Sequence, residues 1–321
     1  MISLSLAYDM RAPEFGATPA ELYAAALDQC EWADRLGFQQ VSFMEHHATT
    51  DGYLPSPIVL AAAAAGRTER ILIGVSVMLL PLYNPLRAAE DLAVLDLASG
   101  GRLRITVGAG YRDDEYAQFG LELKKRPSLM ERGIETLKKA WTGEPFEYEG
   151  RTVRILPRPA QHPRPLITLG GSSKGAAERA ARIADNYRPV SDVLFEDYRE
   201  ALAALGKPVP PPMPARQRYY YLHVTHDPDG DWKRAAPYVM HDNNAYAKWM
   251  EGQPHPAFLH TDNPDDLRTS GRVRVVTPDE CVEMATREGY LSFKPIPGGL
   301  PPAIAWESLR LFEQEVLPRI R

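Results

Sequence analysis

Glu45-His46-His47 places a carboxylate and two imidazoles in consecutive positions directly behind an apolar, β-rich run at 40–44. Imidazole titrates near neutral pH, so such a group can hold a metal or move a proton. Neighbouring residues at a strand end point to opposite faces, which keeps the two rings off one metal ion. None of the other histidines sits behind a strand to complete a ligand set, so no metal is expected. What remains is a proton donor or acceptor oriented by the carboxylate, set against a plain buried, hydrogen-bonded histidine. Gly108-Ala109-Gly110-Tyr111 also follows a strand-like run. It lacks the third glycine of a dinucleotide loop, and Asp113-Asp114-Glu115 behind it would repel a pyrophosphate. Its two glycines still permit close approach by a flat ligand, although a tight turn explains them equally. Gly170-Gly171-Ser172-Ser173-Lys174 leads from an apolar run into a helical pattern, where first-turn amides and the helix dipole suit a phosphate. In Ile73-Gly74-Val75-Ser76-Val77-Met78 the small residues beside glycine allow a bulge, a weak signal because buried parallel strands read the same way.

These groups need a scaffold that brings strand ends together. Short β-rich runs at 2–8, 40–44, 71–77 and 103–107 alternate with helical patterns at 19–36, 56–65, 85–98 and 128–141, the rhythm of parallel strands and crossover helices. Thr18-Pro19-Ala20-Glu21 reads as a capping box with proline at the first helical position. A hairpin is expected at 146–155, turned at Glu149-Gly150. Strands at 166–169 and 188–190 follow, with helices at 173–184 and 195–205 behind them. Five prolines within 207–214 exclude regular structure there. A strand at 217–224, a capping box at Thr277-Pro278-Asp279-Glu280, a strand at 290–293 and a helix at 302–316 complete eight units. The expectation is one α/β domain over 1–321, a (β/α)8 TIM barrel with insertions in its C-terminal half. A polar stretch around 225–274 carries Trp232, Tyr238, His241, Tyr246, Trp249, His255, Phe258 and His260 and is expected to be a lid, with Tyr221, His223, Trp249 and Phe258 as candidate pocket lining.

Composition narrows the function. With 37 basic and 42 acidic residues interspersed in 321, a net charge of −5 offers no stripe for nucleic acid. The longest apolar run, 58–65, falls short of the ~20 residues a membrane span needs. Asp9 and Arg11 do not suit a secretory leader, and Cys30 and Cys281 sit in helix-like segments with no disulfide framework, so the expected location is cytoplasmic.

The chain resembles the bacterial luciferase-like flavin-dependent oxidoreductases along nearly its whole length. The resemblance is carried by Trp32-Ala33-Asp34-Arg35-Leu36-Gly37-Phe38, Glu45-His46-His47, Pro81 through Asp91, Leu95 through Leu103, Val107-Gly108-Ala109-Gly110-Tyr111, Glu115 through Gly120 and Arg126 through Trp141. It implies a barrel that uses reduced FMN and dioxygen to oxygenate a small organic substrate, with His46 as the active-site histidine. It further implies that Ser76-Val77 is the place of a non-prolyl cis peptide beside the flavin, that Gly108 and Gly110 line the cofactor, and that Gly171, Ser172 and Ser173 hold its phosphate. Ala109 stands where the luciferase branch has an arginine, so the phosphate's cation must come from elsewhere, Lys174 being the candidate. A separate flavin reductase and a homodimer formed through first-half helices are implied as well. The alternatives are F420-dependent hydride transfer and a non-catalytic flavin-binding protein whose pocket is plugged by an arginine or an aromatic ring.

Overall fold

The computed structural model describes residues 2–213, 219–252 and 258–321. Its strands are β1 (Ser3–Tyr8), β2 (Gln40–Phe43), β3 (Leu72–Met78), β4 (Leu103–Val107), β5 (Phe146–Tyr148), β6 (Arg151–Val153), β7 (Ile167–Gly171), β8 (Asn186–Pro189), β9 (Tyr221–Val224), β10 (Val273–Val276) and β11 (Tyr290–Phe293). The helices that matter for the site are α1 (Pro19–Arg35), α2 (Pro57–Gly66), α3 (Pro85–Ala98), α4 (Asp113–Gln118), α5 (Arg126–Ala140), α6 (Lys174–Ile183), α7 (Asp192–Ala204), α8 (Pro228–Trp249), α9 (Pro264–Thr269), α10 (Pro278–Glu288) and α11 (Pro302–Leu311).

Seven strands form one parallel sheet in the order β11-β1-β2-β3-β4-β7-β8, with the alternating helices covering it. Parallel strands covered by helices are buried on both faces, which is why β3 and β4 read as nearly unbroken apolar runs. β9 and β10 pair in parallel as a separate ribbon. β9 packs beside β11, and the Ser292 amide donates to the Tyr219 hydroxyl at 2.9 Å, so the two sheets meet at that edge. Among the described residues no ladder closes the circle. The eight-unit barrel expected from the sequence is thus met as a seven-stranded parallel sheet with an accompanying pair.

Both capping boxes form: Thr18 and Thr277 accept from the amides of Glu21 and Glu280, whose carboxylates accept from the cap amides in return. The hairpin forms as β5–β6, its turn at Glu149 and Gly150 with φ of 49° and 74°.

The stretch 225–274, expected as a lid, holds the 22-residue helix α8, the short α9 and the start of the strand β10, elements its sequence did not signal. α8 tolerates Pro237 in its interior, and β10 is a Val-Arg-Val-Val run too short to register against its polar surroundings. His255, Pro214 and the start of the strand expected at 217 lie outside the described residues. No helix among the described residues is long and apolar enough to cross a membrane.

Candidate active site

The C-terminal ends of the parallel strands converge on one face, and the candidate residues sit there. His46 and His47 follow β2 and separate as their strand-end positions require. His46 Nδ1 lies 2.7 Å from Glu115 Oε1, and the same oxygen accepts the His47 amide at 2.9 Å. His47 Nε2 instead meets Glu45 Oε1 at 2.8 Å, and Glu45 also accepts the Leu79 amide and the Tyr83 hydroxyl, each at 2.8 Å. An ionised carboxylate only accepts, so the Glu115 contact fixes the proton of neutral His46 on Nδ1 and leaves Nε2 as its basic nitrogen. Nε2 has no hydrogen-bond partner among the described residues. The carboxylate that orients His46 is therefore Glu115, from α4, rather than its neighbour Glu45.

His46 is nearly dry, at 7% exposure. Ring centroids of Trp249, Tyr53, Tyr111 and Tyr246 surround it at 4.7, 4.9, 5.6 and 6.0 Å. Of the aromatic residues expected to line the pocket, Trp249 reaches His46, while Phe258 stacks on Tyr246 at 4.7 Å. Tyr221 and His223 do not join them: the Tyr221 hydroxyl lies 3.1 Å from His223 Nδ1, and His223 Nε2 faces Asp231 at 3.4 Å. Burial lowers the His223 pKa, and Asp231 pulls in the opposite direction.

Beside this dry group lies a more open one. Gly108 and Ser76 are buried, but Val77, Ala109, Gly110, Gly170 and Gly171 are half-buried, and Ser172, Ser173, Lys174 and Arg188 are exposed. The Ser76–Val77 peptide is cis, and the β3–β4 register shifts between Ser76 and Met78. Arg188, from the end of β8, donates to Ser76 Oγ at 3.0 Å. A Cβ at Gly108 would collide with Val77 Cγ1, so glycine there lets β4 pass against the β3 bulge. Gly171 is likewise required by the close Ala176 side chain and by the Tyr187 hydroxyl at 3.2 Å. Gly110 needs its glycine for a φ of 68°. Ser173 caps α6 by accepting from the Ala176 amide at 3.3 Å, and Lys174 lies 3.8 Å from Asp197.

The residues present fit a flavin mononucleotide. The half-buried Val77, Gly110 and Gly170 put small residues at adjoining strand ends where a flat ring could approach the backbone, and the α6 N-terminus next to them presents exposed serines and a lysine to an anion. The buried Tyr111 hydroxyl and Glu115 Oε2, both without hydrogen-bond partners, lie on the His46 side of those strand ends.

A group missed in the sequence lies behind His46. Asp9 and Arg11 after β1, Asp51, Asp242 of α8 and Lys294 after β11 form a buried ionic cluster. Arg11 pairs with Asp51 and, at 3.2 Å, with Asp242, while Lys294 pairs with Asp242 and, at 2.6 Å, with Asp9. His241 Nε2 meets Asp51 at 2.8 Å. Burial pushes the Asp242 carboxyl up to about 6 despite Lys294. The available signal was positional, since Asp9, Arg11 and Lys294 are charged residues placed directly behind apolar strands.

A sequence profile described as luciferase-like monooxygenase matches residues 9–284. The chain belongs to the luciferase-like monooxygenase family. Among curated relatives, an F420-dependent glucose-6-phosphate dehydrogenase of Microbacterium testaceum is 29% identical over 100% of this chain and 98% of its own. The oxygenase component of a flavin-dependent trigonelline monooxygenase of Acinetobacter baylyi is 27% identical over 51% of this chain and 48% of its own. The chain spans about half the length of several other curated relatives it matches. Among solved structures, the oxygenating constituent of the 3,6-diketocamphane monooxygenase of Pseudomonas putida, in complex with FMN, superposes with a TM-score of 0.74 at 20% identity, covering 100% of this chain and 99% of that one. The luciferase-like family thus includes both FMN-dependent oxygenases and F420-dependent enzymes among the relatives of this chain.

Proposed function

We propose that this luciferase-like protein is a monooxygenase that uses reduced FMN and dioxygen to oxygenate a small organic substrate. The observation that carries this reading is the division of the strand ends. The ends of β3, β4 and β7 stay half-open beside the α6 N-terminus, while His46 next to them is enclosed by aromatic rings. When bound, reduced flavin supplies the electrons that activate dioxygen. The chain's own residues do the rest. Ser172, Ser173 and the first amides of α6 hold the phosphate, and Ser76, Val77, Gly108, Gly110 and Gly171 shape the seat of the ring. His46 Nε2 exchanges a proton with the reacting groups while Glu115 holds Nδ1, and Tyr53 and Tyr246 keep water away. The seven-stranded sheet and the β9–β10 pair are read as two parts of one (β/α)8 barrel, with 225–274 as its lid. Reduced flavin would come from a separate reductase, in keeping with the relative named an oxygenase component.

F420-dependent hydride transfer is the second reading, favoured by the relative matched over its full length. F420 carries a long acidic tail, and beyond the phosphate loop the α7 acids Asp192, Glu196, Asp197 and Glu200 stand among bases, Glu196 pairing with Arg199 and Asp197 with Lys174. With acids and bases matched there, the surface offers no excess of positive charge to such a tail, which favours the shorter FMN. Titration of the protein with oxidised FMN, reduced FMN and F420, followed by fluorescence, tests the choice. Binding of reduced FMN with faster oxygen consumption is expected. Binding of F420 alone would overturn the assignment, and FMN binding with no effect on oxygen consumption would leave only a flavin-binding protein.

A further inference from the structure

The ring of Trp249 occupies an unusual position. Arg11 Cζ lies over it at 4.4 Å and Arg112 Cζ at 4.2 Å, so two guanidinium groups stack on one indole, itself 4.7 Å from the His46 ring. Guanidinium planes pair more strongly with aromatic faces as both lose water; both arginines are buried and the indole is half-buried. The rest of the enclosure is aromatic too, with Tyr53 and Tyr246 at 4.8 and 5.1 Å from Arg11 Cζ. Trp249 is the last residue of α8, so its ring is held at a helix end rather than within a packed helix face. Three polar atoms here have no hydrogen-bond partner among the described residues: Arg11 Nη2, the Tyr111 hydroxyl and His46 Nε2.

We infer that the indole of Trp249 stands in the substrate's place, and that the substrate is a planar aromatic molecule bearing an uncharged ring oxygen, such as a hydroxyarene. Its ring displaces Trp249 between Arg11 and Arg112, its oxygen accepts from Arg11 Nη2, and its hydroxyl donates to His46 Nε2. A carboxylate-bearing substrate is disfavoured, because Asp9, Asp51 and Asp242 already surround Arg11 and would repel it. An aliphatic substrate would forfeit both stacking contacts. The inference rests on the reading that places the reaction at His46.

The test compares 1-naphthol, naphthalene and 1-decanol by calorimetry on the wild-type chain, on Trp249→Ala and on Arg112→Lys, each with and without FMN. Arg11 itself is avoided because its loss would strand three buried carboxylates. The order expected is 1-naphthol tightest, then naphthalene, then 1-decanol. Trp249→Ala removes the competing ring and should tighten 1-naphthol by roughly fivefold or more. Arg112→Lys gives up a planar stacking partner and should weaken it by about tenfold. Decanol binding as tightly as naphthol, or naphthol affinity unchanged in Trp249→Ala, overturns the inference even where FMN binds normally. Naphthol behaving as described while FMN fails to bind would overturn the proposed function and leave the aromatic site standing.

Discussion

Lys294 shares its charge with two carboxylates away from bulk solvent. Asp9 and Asp242 both lie against it, and all three are buried. Removing one partner of a buried ionic group leaves the others uncompensated, so Lys294→Met should destabilise the fold by about 3–5 kcal/mol near neutral pH. The loss should depend on pH in a definite direction. Burial already holds the Asp242 pKa above its ordinary value, at about 6, and without Lys294 that carboxyl rises further. A group whose folded pKa is raised takes up its proton in the folded state as the pH falls, so the deficit of Lys294→Met should shrink on going from neutral to mildly acidic pH. Urea midpoints of the wild-type and variant chains at the two pH values check this, and a deficit growing toward acid would refute it. At the proposed catalytic residue, His46→Ala should leave FMN affinity within about twofold and slow oxygen consumption by about 10²-fold or more. His46 could be picked out from its place behind an apolar run. Its partner Glu115 could not, because Asp113-Asp114-Glu115 reads as one acidic run while only Glu115 of the three turns inward.

Elements whose signals are local were the legible ones. The capping boxes at Thr18 and Thr277, the hairpin turn at Glu149-Gly150 and the first six strand–helix alternations each depend on residues a few positions apart, and each forms within a few residues of its expected bounds. α8 and β10 were not legible, because α8 carries Pro237 in its interior and buries the polar Asp242 and Asn243 beside its apolar positions, and β10 is only four residues long. Asp34 shows how a long-range tie escapes sequence reading. It lies at the end of α1, and its carboxylate accepts the amides of Glu69, Arg70 and Ile71 at 3.1, 2.8 and 2.6 Å, anchoring the entry to β3. Burial alone would raise its pKa, but these amides hold it below the ordinary carboxylate range. Such a carboxylate supports the fold above its unfolded pKa and loses that support as pH falls through its folded value. Asp34→Asn should therefore cost about 2–3 kcal/mol at neutral pH and progressively less in acid, as read from thermal or urea unfolding across that range.

At the scale of the whole molecule, the outer face of α2 raises a question of partners. Val59 is 68% exposed, Ala62, Ala63 and Gly66 lie on the same outward side, and the neighbouring α3 adds Val94 and Leu97 at 52% and 44%. Polar residues would normally cover the outside of helices that wrap a parallel sheet, and here aliphatic ones do over two adjacent helices. We propose this surface for the homodimer that the family resemblance implies. None of its residues belongs to the half-open strand ends, so each copy would keep its own site. Small residues on α2 let a second α2 approach closely, and the charged first half of α3, with Arg87, Glu90 and Asp91, would rim the apolar patch. Sedimentation of the wild-type chain should give twice the monomer mass at micromolar concentration. Introducing charge into the patch centre with Val59→Lys and Leu97→Glu should return the monomer, with FMN affinity unchanged because neither residue belongs to the proposed cofactor seat. A wild-type chain that sediments as a monomer, or a doubly charged variant that remains a dimer, would remove α2 and α3 as the interface.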